Sequence, residues 1–469
     1  MEPPAAHPAR DSPAFPGRPG RGIPTKPPPR RRRATRPGAG TDALRAAMLL
    51  ALAVVAGGAG ARADEAPTPY PDSLVFAPPE REVPVSSRVA RAADTEEGVP
   101  LAPFGEHLLT DVEAWRARGE ERGRAYMVGD YNRVDRLRLG WGYEFQRPDK
   151  LIPRMGARLE YAFQRERVMY GAQIEQPIGD PGRLALGVSM VRRTDHNDLQ
   201  QVSDEENSLA FLFARQDYRD YFEREGFGGY AALRVPAWTT LSVHLRNDEY
   251  RALALDAGTR SFVHMGRDLR PNPAIDPGQA HTLSLRLDHR VHIRQRLRAG
   301  FYRWIDVERA GHGLGGAFQY TRVLADLRSV LRLSPATTLA VRAVAGHAVE
   351  GRLPAQRVFP AGGVDGLRAH RLAEYRGNQL ALAQTEYTVG LWKLRSQFFE
   401  GGLHAIAFVD AGRAWQNDEH HWDLDRQRVQ TDGGLGLGTS EDNLRIYFAK
   451  NLRRPGSDFV VSVRLQRPF

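Results

Sequence analysis

The residues able to carry chemistry fall into a few arrangements, and none completes a reaction centre. Gly187-Val188-Ser189-Met190 opens like a nucleophile elbow but lacks the second glycine that turn requires. Ser284 stands close to Asp288 and His289, a grouping that suggests a serine hydrolase. Neighbouring side chains on a strand point to opposite faces, so Asp288 and His289 cannot serve one site there. Asp418-Glu419-His420-His421 offers metal-ligating types, but a solvated polar loop accounts for that run equally well. No phosphate loop or dinucleotide fingerprint stands between a strand and a helix. The expectation is a protein that is not an enzyme, with no catalytic residue, cofactor or metal.

The elements around these residues are of one kind. From about Asp135 onward, apolar and polar residues alternate. Leu137, Leu139, Trp141, Tyr143 and Phe145 interleave with Arg136, Arg138, Gly140, Gly142 and Glu144. Near the end, Phe459, Val461, Val463, Leu465 and Phe469 interleave with Val460, Ser462, Arg464 and Gln466. A period of two is the mark of a strand. Charged residues on one face of most strands suit an antiparallel transmembrane β-barrel, with lipid outside and water inside. A soluble sandwich would also alternate, but its strands would be shorter.

Sixteen segments can be marked out, centred from Leu139 to Val463, with the fifth on Phe211. Every second connection between them should be long if both barrel ends face one compartment. Most obey. The connections from Leu186 to Phe211 and from Leu382 to Ala407 are too long, and that across Gly179-Asp180-Pro181-Gly182 is short where a long one is allowed.

Charge and composition organise the rest. The formal net charge of +10 sits mainly in residues 1–63, which hold 11 basic and 3 acidic residues; the remainder holds 55 and 53. A near-neutral body argues against nucleic acid as a partner. Within 1–63, a Pro/Arg-rich stretch precedes an apolar run, Ala46–Ala56, and then Ala61-Arg62-Ala63. Basic flank, short apolar core and A-x-A site compose a signal peptide, with cleavage expected after Ala63. An uncleaved anchor is the competing reading, and it needs about 20 apolar residues. Residues 64–129 read as a Pro- and charge-rich periplasmic linker with a short helix within Glu106–Gly129, and 130–469 as the barrel. The chain has no cysteine, as suits an oxidising compartment.

The last third of the chain resembles the Omp85 superfamily, the surface-antigen D15 type that includes the BamA and TamA barrels. The motifs occur in order: Gly362-Gly363 running into Leu367-Arg368, Gln384-Thr385-Glu386-Tyr387, Phe408-Val409-Asp410-Ala411-Gly412, Gly434-Leu435-Gly436-Leu437-Gly438, Leu444-Arg445-Ile446-Tyr447, and a terminal Phe469. Tyr131-Asn132-Arg133-Val134-Asp135 is similar to the barrel opening of relatives poor in POTRA domains. The resemblance implies sixteen strands and a sixth extracellular loop folded back into the lumen. Gly362, Gly363, Gly366, Leu367 and Arg368 would form its locking tip. Glu386, Phe408, Asp410 and Gly412 would form the receiving wall, with Arg368 paired to Asp410 and Glu386. Where the family motif continues with glycine and an aromatic, this chain has Ala369 and His370. The linker leaves no room for the family's usual periplasmic POTRA domains.

The resemblance also implies a role in assembling outer-membrane proteins or in translocation across the bacterial outer membrane. Client strands would pair at a weak seam between the first strand, near Leu139 and Trp141, and the last, near Phe459, Val461, Val463, Leu465 and Phe469. The expected partners are membrane lipid, client outer-membrane proteins and a periplasmic or lipoprotein partner. A passive porin-like channel and an outer-membrane hydrolase are the alternatives.

Overall fold

The computed structural model describes residues 123–465, apart from 146–150, 180–182, 236–238, 256–257, 259–260, 262–268, 293–299, 335, 396–399, 425–427, 440–443 and 455. The expected leader, its expected cleavage site, the expected linker up to 122 and the terminal Phe469 lie outside the described residues.

Sixteen strands form one antiparallel sheet in which each pairs with the next along the chain. They are β1 (Gly123–Asn132), β2 (Arg136–Phe145), β3 (Arg154–Ala162), β4 (Arg167–Ile178), β5 (Leu184–His196), β6 (Tyr221–Val235), β7 (Thr239–Ala252), β8 (Gly278–His292), β9 (Gly300–Ala310), β10 (Tyr320–Ser334), β11 (Thr337–Gly351), β14 (Gln379–Arg395), β15 (Glu400–Trp415), β16 (Gln430–Thr439), β17 (Arg445–Asn451) and β18 (Val460–Arg464). A separate small hairpin, β12 (Phe359–Ala361) with β13 (Tyr375–Gly377), lies between β11 and β14. One helix, α1 (Asp204–Ala214), lies between β5 and β6.

The number of strands agrees with the sequence reading, but two assignments behind it are corrected. Gly123–Asn132 is the first strand, so Gly123–Gly129 belongs to the sheet and not to a linker. Leu139 and Trp141 therefore sit on β2, not on the edge. The segment around Phe211 is α1, not a strand. Its start is coded locally: the Ser203 side chain accepts the Glu206 backbone N–H, as an N-cap does, with Asp204, Glu205 and Glu206 in the first turn.

These shifts remove the irregular connections. The 197–220 connection, here L3, joins β5 to β6 and is long. The connection after Gly179 lies between β4 and β5, which only five positions separate in the chain. β14 and β15 run to 17 and 16 residues, so despite their distant centres only four positions separate them in the chain. The long connections (197–220, 253–277, 352–378, 416–429) thus all fall at one end of the sheet, together with the short ones at 133–135 and 163–166.

The two faces invert the usual rule for soluble proteins. Trp141, Val188, Phe227 and Leu435 are 61–70% exposed, whereas Arg138, Glu175, Asp326, Arg342 and Asp410 are buried. A belt of exposed apolar side chains around an ion-paired interior is the arrangement lipid requires. The buried charges are paired, as burial demands. Arg138 meets Glu160 at 2.7 Å and Asp130 at 3.0 Å, Arg154 meets Glu175 at 2.7 Å, and Arg342 and Arg328 both meet Asp326 at 2.7 Å.

Candidate functional site

The site is built on the connection 352–378, here L6. Its stem is the β12–β13 hairpin, in which Phe359 pairs with Gly377 and Ala361 with Tyr375. Phe359, Ala361 and Leu367 are buried in one cluster with Leu324 of β10, Val344 of β11, and Leu380 and Leu382 of β14. Burying three apolar side chains against β10, β11 and β14 holds the loop on the face of the sheet that carries the buried ion pairs, at roughly 25 cal/mol per Å² of apolar area.

Glycine makes the tip compact. Gly362 and Gly363 have φ of 113° and 90°, a region open to glycine and strained for other residues. A Cβ on Gly362 would stand 2.4 Å from the Arg371 carbonyl. Gly363 N donates to Leu367 O at 3.1 Å and to His370 O at 3.2 Å, and Gly366 N donates to Gly363 O at 3.0 Å. These bonds turn the chain so that Arg368 leaves the tip toward β14 and β15.

Arg368 is 3% exposed. Its Nε donates to Asp410 Oδ2 at 2.8 Å and its Nη2 to Asp410 Oδ1 at 2.7 Å, a two-pronged contact. Nη1 donates to Glu386 Oε1, whose other oxygen accepts from Arg445 at 3.0 Å. The guanidinium stacks 3.9 Å above the Phe408 ring and 4.8 Å from that of Tyr447. Asp410 and Phe408 share the inner face of β15 because they are two residues apart, and Glu386 reaches the same point from β14. Gly412 lies on that face one step on; a Cβ there would meet the Ala381 carbonyl at 2.5 Å. The tip and wall residues named from the sequence thus lie together.

Three further anchors were not among the residues picked out from the sequence. Asp432 of β16, directly opposite Asp410 in the sheet, accepts Ala369 N at 2.8 Å and lies 3.1 Å from His370 Nδ1. His370 Nε2 stands 3.1 Å from Asn451 Nδ2. The departure from the family motif at Ala369-His370 is therefore matched by polar partners. Asp365 accepts Gln201 N of L3 at 2.7 Å and Arg464 Nη1 of β18 at 3.1 Å. Arg357 bonds Asp198 of L3 at 3.0 Å, and Arg322 reaches the same carboxylate at 2.6 Å. Burial opposes charge on Asp198, but Arg357 and Arg322 outweigh it and hold its carboxyl well below the usual carboxylate range.

The remaining sequence-derived residues lie elsewhere. Leu139 and Trp141 face outward on β2, and Val461 and Val463 face outward on β18. Phe459 precedes β18 and Leu465 follows it. Asn132, at the end of β1, caps its own turn by accepting Val134 N at 2.9 Å and Asp135 N at 2.8 Å, and Arg133 meets Asp217 of L3 at 3.2 Å. Asp288 bonds Arg286, whereas His289 meets Thr239, so no hydrolase grouping forms there. Among the described residues, no group of three or more His, Cys, Asp or Glu is placed to hold a metal ion.

The converging groups are paired ions and hydrogen bonds that hold a loop against a wall. The Omp85 superfamily domain matches residues 126–460. Among solved structures, the chain is similar to the BamA of Haemophilus ducreyi lacking POTRA domains 1-3, at 14% identity and a TM-score of 0.49, covering 73% of this chain and 70% of that one. It is also similar to CdiB from Acinetobacter baumannii (15% identity, TM-score 0.40) and CdiB from Escherichia coli (15%, 0.43), each over 73% of this chain. It spans 59% and 62% of those two chains, respectively. No curated protein matches it. With the family's domain covering most of its length, this chain belongs to the Omp85 superfamily, a family of outer-membrane β-barrels.

Proposed function

We propose that this protein resides in the bacterial outer membrane and helps other outer-membrane proteins to insert, or polypeptides to cross. The observation that carries this reading is L6 folded onto β14, β15 and β16 through Arg368, Glu386, Asp410 and Asp432. A loop clamped there occupies interior that a passive pore would keep clear for solute. In this reading, L6 is the inward-folded sixth extracellular loop and the Arg368 clamp is its lock. The work is done at the seam between β1 and β18, where an edge donor or acceptor can pair with an incoming strand. The driving force is the client's own folding, and no catalytic group takes part. Membrane lipid, client barrels and a periplasmic or lipoprotein partner are the proposed contacts.

A photoreactive residue at Met127 on β1, or at Val461 on β18, should capture nascent outer-membrane proteins in living cells. The same probe at Val188, far along the sheet, should capture none. A reconstituted protein that yields no captured clients, but large steady ion-selective openings in planar bilayers, would instead be a channel.

A further inference from the structure

The end strands of the sheet are joined by a helix that belongs to neither. Tyr131 of β1 lies opposite Leu137 of β2, whose carbonyl accepts Phe163 N at 3.0 Å on its far side. In an antiparallel ladder, that places the Tyr131 backbone N–H on the open edge, pointing away from β2. This edge donor meets α1: Tyr131 N donates to Ser208 Oγ at 2.9 Å, and Ser208 Oγ donates to Asp130 Oδ1 at 2.7 Å. One turn along α1, Phe211 is fully buried, with its ring 5.7 Å from that of Tyr131. On its other side, α1 reaches the last strand. Arg464 Nε donates to Glu206 Oε1 at 2.6 Å, with both side chains at most 3% exposed. The same arginine bonds Asp365 of L6 at 3.1 Å.

We infer that α1 is a displaceable wedge in the seam. Ser208 occupies the edge donor that an incoming strand would take, and Glu206 ties the helix to β18. Opening the seam requires the helix to leave β1, and the occupant that replaces it is an extended β-strand of a client protein. Through Arg464 and Asp365, the wedge is coupled to the L6 tip, so withdrawing one loosens the other. The client half of this inference rests on the function proposed above; the wedge itself does not.

Hydrogen exchange on the full chain in detergent tests the wedge without any assay of activity. Glu206→Gln with Ser208→Ala should speed exchange of the 123–132 amides roughly tenfold and leave those of β10 and β11 unchanged. The converse variant covers the case in which this one does not fold. The chain has no cysteine, so Asp130→Cys with Ser208→Cys creates a single thiol pair tying α1 to β1. Oxidising that pair should slow exchange in 123–132 and abolish client insertion, with reductant restoring both. Exchange in 123–132 that is indifferent to oxidation would overturn the wedge. If oxidation slows exchange but reduced protein and parent insert no clients, the wedge stands and the proposed function falls.

Discussion

The guanidinium of Arg368 meets Asp410 with two nitrogens at once, Nε at 2.8 Å and Nη2 at 2.7 Å, in a site closed to water. This fork determines which substitutions the loop tolerates. Arg368→Ala leaves Asp410 without its main partner and should cost about 3–5 kcal/mol, the usual result of stranding a buried charge. Arg368→Lys should recover less than half of that, since an ammonium cannot make the planar two-point contact. Urea unfolding followed by the heat-dependent gel shift of the barrel measures both. A barrel as stable with Ala as with Arg would show that the clamp contributes nothing.

His370 stands where the family motif carries an aromatic residue, and it is held by Asp432 and Asn451. His370→Phe would restore the family's residue type yet remove these bonds, leaving a buried carboxylate oxygen and amide less well satisfied. It should destabilise the barrel by about 1–3 kcal/mol. A stabilised His370→Phe protein in the same assay would mean that packing, not polarity, decides this position.

Gly362 has φ of 113° and a carbonyl 2.4 Å from where a Cβ would sit. Gly362→Ala should strain the tip by about 1–3 kcal/mol. The exposed Arg371 in the same tip then becomes a sensitive reporter. Limited trypsin digestion should cut after Arg371 several-fold faster in the variant, before any strand is cleaved. Equal rates would show that the tip accommodates a side chain.

Asp198 links L3 to L6 and β10 through Arg357 and Arg322, which keep its carboxyl ionised to unusually low pH. A depressed folded pKa adds stability above the unfolded value, about 3.9 for Asp, and loses it as pH falls below that toward the folded value. At 26% side-chain exposure, solvent screens part of the effect. Asp198→Asn should therefore cost about 1–2 kcal/mol at pH 7, and the gap between variant and parent should shrink below pH 4. Urea midpoints at pH 7 and pH 3 decide it; a gap that does not change with pH would remove Asp198 from the account.

Alternation fell short in two places, each for a physical reason. In β1, Gly123, Ala125 and Gly129 supply little apolar bulk, so its outward face carries a weak signal. In α1, Leu209, Phe211 and Phe213 alternate as they would on a strand, although Ser203 three residues before Glu206 is a helix-start signature. Glu206 turns its side chain to Arg464 of the last strand, so the signature is completed only in part.

What the chain carries in its own order is periodic and local. Strand after strand places apolar residues on one face because side chains alternate there, and paired glycines allow one tight tip. The family motifs alone single out Arg368, Glu386 and Asp410. Partner choice among the other carboxylates is different in kind. Asp365, Asp432 and Glu206 look alike as residues. Only the tertiary fold brings Asp432 to His370 and both Glu206 and Asp365 to Arg464. Those contacts join residues from 62 to 258 positions apart, a range over which no local pattern extends.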